Sequence, residues 1–339
     1  MQASQTPPSF CDRDEETSQA CKDLLVSLPS EEDWLVPTIC LYQGFWFPSH
    51  LLKGVLAFQN HFQAQPSDIL ERISLTILLV TSPKSGTTWL KAVLFALLNR
   101  AKYSDLDSQQ PHPLLTQNPH DLVPFLDVKL YLEQENPDLA AFASPRLFAT
   151  HLPFSSLPRS VRDSKCKLVY LCRNPKDVLV SLWHFTNKVK AKEKGQIPLP
   201  ECLDKFCRGL SLYGPYWEHV LGYHKASSEM PGKVLFLMYE EMTEDPHVQL
   251  RRLADFLGCP FSEEELKDGT VEAILRMCSF DNLSALEVNK SRKGSLGVEN
   301  KWFFRRGEVG DWGNYMSADM GKRIDSVMEE KFHGSGLKF

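Results

Sequence analysis

Apolar positions along the chain fall into two rhythms. One is short and unbroken. Leu78, Leu79 and Val80 run into Thr81, and further β-rich runs cover Arg146 to Thr150, Lys167 to Cys172 and residues 233–239. These runs do not alternate, which is the pattern of strands covered on both faces. The other rhythm is helical. Leu90, Val93, Leu94, Leu97 and Leu98 follow the first run at i, i+3, i+4, i+7 and i+8. Leu250, Leu253, Ala254 and Leu257 share a second helical face, opened by Asp245 and Pro246 and closed by Gly258 and Pro260. A last helix is predicted over 317–331, with Met320, Ile324 and Met328 on one side. Helices between such strands predict an α/β fold, a central parallel β-sheet flanked by helices in a single domain over 31–339.

Composition narrows the class. The 339 residues are 42% hydrophobic, enough for a large core, and the net charge of −5 gives no basic field for nucleic acid. Nine cysteines are scattered without a C-x-x-C pair or Cys/His cluster, so reduced thiols and no metal are expected. Residues 1–30 are polar, include Pro7 and Pro8, and read as a disordered arm. They have neither the apolar core of a signal peptide nor the Arg-rich, acid-poor make-up of a transit peptide, and no run is long enough to span a bilayer. A cytoplasmic protein with no membrane partner is the expectation.

Chemistry enters where the first apolar run breaks. Ser82-Pro83-Lys84-Ser85-Gly86-Thr87-Thr88-Trp89 joins a strand to a helix start through a lysine, a glycine and several hydroxyls. Free N–H groups, the helix dipole and Lys84 suit a phosphate or sulfate, with Gly86 allowing close approach and Ser85, Thr87 and Thr88 as donors. The spacing is not that of a P-loop, because Lys84 precedes the glycine. His151 sits just past a predicted strand before Pro153, facing the crevice where such folds bind ligands. It is either a general base or a satisfied polar group. In Arg173-Asn174-Pro175-Lys176-Asp177, Asn174 caps a helix, Pro175 takes its first position and Asp177 complements its dipole. Arg173 is left for an anion or for structure, with Ser181 two turns on. Arg305, Arg306 and Gly307 are a third anion candidate or a solvated turn, and residues 291–297 look like a mobile lid. The aromatics Phe45, Trp46 and Phe47 are either core or the wall of an apolar ligand site.

These segments, in this order, resemble the cytosolic sulfotransferase family. Residues 83–89 are similar to its 5′-phosphosulfate loop, 173–181 to its 3′-phosphate motif, 303–312 to its closing phosphate motif, and 150–153 to the segment with its catalytic histidine. Residues 118–125 and 334–339 look most like the plant branch. The resemblance runs from about Trp34 to the end of the chain.

It implies transfer of a sulfonate from 3′-phosphoadenylyl sulfate to a hydroxyl of a small acceptor, the donor leaving as adenosine 3′,5′-bisphosphate, without a metal. His151 is then the base and Lys84 the neutraliser of leaving-group charge. Ser181 and Arg173 hold the 3′-phosphate under Arg305, Arg306 and Gly307, with Ser181 also restraining Lys84. Trp89, Tyr239, Ser279 and Phe280 surround the adenosine. Phe45 and Phe47 suit a flat acceptor, a flavonoid or brassinosteroid before a hydroxylated jasmonate or desulfo-glucosinolate.

Three departures stand out. Ala149 replaces the lysine that animal members commonly carry two residues before the histidine. The dimer motif of those members is missing after Trp312, so a monomer is expected. Residues 70–77 are interposed before the central strand and are expected to loop out, leaving the loop at 82–88 intact. A small-molecule P-loop kinase and a nucleotide-binding protein without turnover are the alternatives.

Overall fold

The structure is a computed structural model that describes residues 19–33, 36–64, 76–103, 111–190 and 195–339. Its centre is strand β4 (Thr76–Thr81), whose six residues are all buried. Parallel neighbours are β5 (Arg146–Thr150) on one side and β6 (Lys167–Cys172) on the other, with β7 (Val234–Met238) beyond β6. Val80 lies opposite both Thr150 and Tyr170, and Cys172 lies opposite Met238. The four strands therefore end together. The residues that follow them, the loop after Thr81, His151, Arg173 and Tyr239, share one edge of the sheet. That is the crevice in which open α/β sheets hold ligands.

A smaller antiparallel sheet joins β1 (Ser30–Glu32), β2 (Thr38–Tyr42) and β3 (Phe45–Pro48). Gln43 and Gly44, both at positive φ, make the two-residue turn between β2 and β3. Trp46 exchanges backbone hydrogen bonds with Tyr213 and Gly214, which straps this sheet to the main body.

The helices follow the predicted pattern. α3 (Thr87–Asn99) buries Leu90, Val93, Leu94 and Leu97, and Leu98 is half-buried. α4 (Pro175–Val189) is capped by Asn174, whose side chain accepts from Lys176 N. α7 (Pro246–Leu257) has the Asp245 cap and a left-handed Gly258 at its end. α8 (Ala318–Phe332), capped by Ser317, buries Ile324 fully and leaves Met320 and Met328 half-buried. Other long helices are α1 (Gln19–Ser27), α2 (Leu52–Ala64), α6 (Tyr216–Glu229) and α5 (Leu199–Cys207), the last beside α4.

Two expectations need correction. The arm is not unstructured over its last part, because residues 19–27 are helical and Ser30 pairs with Cys40. Buried Cys21 explains part of this, since an apolar contact offsets the cost of ordering. Residues 1–18 lie outside the described residues, as does Trp34. The interposed segment does not loop out as far as Ile77. Thr76 and Ile77 already pair with Arg146 and Leu147, and β4 runs unbroken into the loop; residues 70–75 lie outside the described residues.

Candidate active site

Above the strand ends lies a cavity of about 400 Å³. The loop after β4 forms its floor, with Lys84 and Gly86 in positive φ. At Gly86 a side chain is excluded twice, by φ +110° and by Tyr239, 2.8 Å from where a Cβ would sit. Gly86 is the N-cap of α3 and has no side chain to engage the first N–H groups, which stay available to an anion.

Lys84, Thr87, Thr88 and Trp89 line the cavity. Thr87 shares a 2.7 Å hydrogen bond with the Thr81 hydroxyl, and Thr88 Oγ1 lies 2.9 Å from His120 Nε2. Ser85 does not join them. It is fully buried and its N–H is donated to Ser82 O, while its hydroxyl is a buried polar atom without a hydrogen-bond partner. Lys84 Nζ stands 4.3 Å from the centroid of the Phe185 ring and 5.9 Å from that of Phe303. Ser181 lines the same cavity, and the aromatic face nearest the Lys84 ammonium is that of Phe185. Burial, reinforced by Arg305, Lys188 and Arg173, pushes the Lys84 ammonium down to about 7. Positive charge is in surplus around it.

His151 follows β5 and lines the cavity beside Tyr213 and Phe125. Its Nδ1 lies 2.7 Å from Thr81 O, a pure acceptor, so Nδ1 carries the proton and Nε2 keeps its lone pair. Burial pushes the ring down to about 3, the Thr81 contact opposing and Lys91, His219 and Lys84 adding to the shift. The ring is thereby held toward its neutral form.

At the other end of the cavity Arg173, almost fully buried, faces the Tyr239 ring at 4.4 Å and donates to Glu308 O. Ser181 lines the cavity next to it on α4. Arg305 is paired with buried Asp311, while Arg306 is half-exposed beside Asp311 and Glu308. Gly307 sits at φ +71° against the Phe280 ring, where a Cβ would come within 2.6 Å, and its carbonyl accepts from Tyr239 Oη at 2.9 Å. Ser279 caps the short helix of Phe280, and both residues line the cavity. Asp177 does more than complement a dipole. Fully buried, it accepts from Gly310 N and Trp312 N at 2.8 and 2.9 Å and so ties the C-terminal segment over α4. The expected mobile lid is pinned too: Ser295 N donates to Asp121, and Leu296 and Val298 are buried in the cavity wall.

Phe45 and Phe47 are core, not cavity lining. Strand alternation turns both rings inward, Phe47 against Tyr213 at 5.4 Å and Phe45 against His219 at 6.4 Å. The apolar end of the cavity is instead made by Pro48, Leu51, Phe125, Val128, Leu212 and Tyr213. The sequence reading also missed His120, His184, Phe185 and Lys188. The last three share a face with Ser181 at helical spacing, a signal that could have found them. His120 comes from the 118–125 stretch, where the Asn118 and Pro119 cap was the only local cue.

The lining fits a polyanion. Arg173 Nε, Arg305 Nε and His184 Nε2 are buried without a hydrogen-bond partner, all on residues that line this cavity. The two arginine N–H groups are donors left unmade at such cost, and they imply acceptors supplied by a ligand. Among the described residues no group of three or more metal-ligating side chains occurs.

A sulfotransferase-domain family profile matches residues 75–336. Cytosolic sulfotransferase 5 of Arabidopsis thaliana is 48% identical over 328 residues, covering 96% of this chain and 98% of its own length. Cytosolic sulfotransferase 12 of the same plant is 47% identical over 339 residues, covering 100% and 99%. Among solved structures, an Arabidopsis thaliana sulphotransferase superposes with a TM-score of 0.73 at 41% identity, covering 96% of this chain and 99% of that one. Mouse sulfotransferase SULT7A1, solved in complex with PAP, gives 0.63 at 26% identity, covering 88% and 95%. The kinase alternative is set aside by these matches. The chain belongs to the cytosolic sulfotransferases, the family of enzymes that draw on 3′-phosphoadenylyl sulfate, and stands with their plant members.

Proposed function

We propose that this chain transfers the sulfonate of 3′-phosphoadenylyl sulfate to a hydroxyl of a small, flat, largely apolar acceptor, with a flavonoid or brassinosteroid first among candidates. The observation that carries the mechanism is the hydrogen bond from His151 Nδ1 to Thr81 O. It fixes the tautomer that leaves Nε2 as acceptor on a ring between the apolar and cationic ends of the cavity. The acceptor's O–H proton passes to Nε2 while its oxygen bonds to sulfur. The bond from sulfur to the bridging oxygen breaks, and that oxygen keeps the electron pair. Lys84 neutralises the charge that develops there. Burial first, and then the fields of Lys91, His219 and Lys84, hold His151 toward the neutral form that can accept a proton; a polyanionic donor beside it would oppose the lysine part of that shift.

At the 3′-phosphate end, Arg173, Ser181, Arg305, Arg306 and Gly307 hold the donor. Trp89, Tyr239, Ser279 and Phe280 take its adenosine, and adenosine 3′,5′-bisphosphate leaves. The apolar wall from Pro48 to Tyr213 supports the choice of acceptor class. Substitution His151→Ala is expected to lower transfer of labelled sulfonate at least about 100-fold, with affinity for adenosine 3′,5′-bisphosphate unchanged within about twofold. Retained turnover in that variant would remove His151 as base. No transfer by the native chain to phenolic or steroidal acceptors would remove the acceptor class.

A further inference from the structure

α3 carries a lysine that this mechanism does not use. Lys91 is fully buried one turn after Thr88, and no carboxylate lies within ion-pair distance among the described residues. A lysine so placed costs the fold more than an apolar residue of the same size. Its Nζ donates to Val123 O at 2.7 Å, stands 3.4 Å from the centroid of the Phe125 ring, and lies 3.2 Å from His120 Nδ1. His120, also buried, puts its other nitrogen 2.9 Å from Thr88 Oγ1. Three side chains thus form a line from the core to the mouth of the anion loop.

The charge on Lys91 sets the direction of that line. Burial pushes its ammonium well below the ordinary range, with Asp127 and Asp121 opposing; as an ammonium it only donates, and His120 Nδ1 then accepts from it. The ring proton then sits on Nε2 and is donated to Thr88 Oγ1. With its oxygen occupied as acceptor, Thr88 has its own proton free for the cavity it lines. The reversed order, with a neutral amine, would turn the Thr88 lone pairs toward an incoming anion. Thr87, whose hydroxyl is paired with that of Thr81, has no such ring behind it to fix which of the two oxygens donates.

We propose that Lys91 and His120 are positioning residues that orient the Thr88 hydroxyl as a donor to the 5′-phosphate end of the sulfonate donor. The proposal rests on the reading of residues 84–89 as the donor loop. It gives the buried lysine a task, and it concerns donor affinity rather than the acceptor.

The test is calorimetric titration with adenosine 3′,5′-bisphosphate of the native chain, Thr88→Ala, Lys91→Met and the double variant. Each single change is expected to weaken binding about tenfold. Lys91→Met is expected to add less than about twofold in the Thr88→Ala background, because its effect passes through that hydroxyl. His120→Leu should match Lys91→Met. His120→Gln, which keeps an N–H near the Nε2 place, should stay within about threefold of the native chain. KM for the acceptor should not move. The proposal is overturned if Lys91→Met leaves affinity unchanged, or if it costs the same factor with and without Thr88. If Lys91→Met does not fold, the two His120 variants decide by the same criterion. A native chain that binds while Thr88→Ala binds equally well refutes the role of Thr88 and the line behind it; a native chain that does not bind at all refutes the donor loop itself.

Discussion

Lys84 and His151 are governed by the same physical circumstance, a desolvated pocket with surplus positive charge, and both are held toward their neutral forms. This makes donor binding a proton-linked event. Burial and the neighbouring cations push the Lys84 ammonium down to about 7, and a bound polyanion would raise that value. Below pH 7 the ammonium is already formed and costs nothing more. Above it, binding must draw a proton from solution, so affinity falls by up to about tenfold per pH unit until the pKa of the complex is passed. The dissociation constant of adenosine 3′,5′-bisphosphate is expected to rise between about pH 7 and 9, and Lys84→Met is expected to flatten that rise. A flat native profile over the same range would mean that Lys84 stays charged without ligand.

Single residues were legible in the sequence to the extent that their chemistry is local. Lys84, Gly86, His151 and Arg173 could be placed because each directly follows an apolar strand, and parallel strands bring their ends to one edge. Phe45 and Phe47 were ambiguous because an aromatic pair at strand spacing faces either side equally well until its partners, here Tyr213 and His219, are known. Ser85 shows the same limit within a loop, where the inward or outward turn of one hydroxyl is set by backbone torsions that the sequence does not display.

At the scale of the element, α4 shows how much one helix can hold. Its first turn carries the Asn174 cap and Asp177, and the face that continues through Ser181, His184, Phe185 and Lys188 lines the cavity. Asp177 was legible as a helix-dipole residue, which explains its place in the first turn but not its burial. Its two bonds run to Gly310 and Trp312, far along the chain, and pairing over that separation leaves no trace in local spacing. Replacing Asp177 by Ala strands both N–H groups and leaves buried Arg173, 3.5 Å away, without its carboxylate. A loss of about 3 kcal/mol in urea unfolding is expected. Donor affinity is expected to fall in parallel, since Arg305 to Gly307 lie just before the tethered residues. A variant with native stability and native affinity would show that the segment is held by its aromatic contacts alone.

The whole molecule is a sheet with one working edge. The chain segment where animal members carry their dimer motif is occupied within this chain: Trp312 packs on Gly321 of α8, Lys176 lies 4.2 Å from the Trp312 ring centroid, and Tyr315 stacks edge-on with His184. Aromatic surface already covered by its own chain offers little to a second copy. Light scattering on a sizing column is expected to give the mass of one chain, 38.7 kDa, with no concentration dependence. A stable dimer would overturn this reading. The relatives are named cytosolic, and no helix among the described residues is long and apolar enough to cross a membrane.

The hydrogen bond from Tyr239 Oη to Gly307 O joins the end of the last sheet strand to a segment near the C-terminus. During synthesis the ribosome delivers the four strands and the anion loop well before Arg305, Arg306 and Gly307 emerge. If these three residues hold the donor as proposed, a growing chain can assemble its sheet and His151 before it has them, and tight retention of the sulfonate donor would wait until the tail has closed on Tyr239. The phenol works as the clasp of a purse, shut by the last piece sewn on.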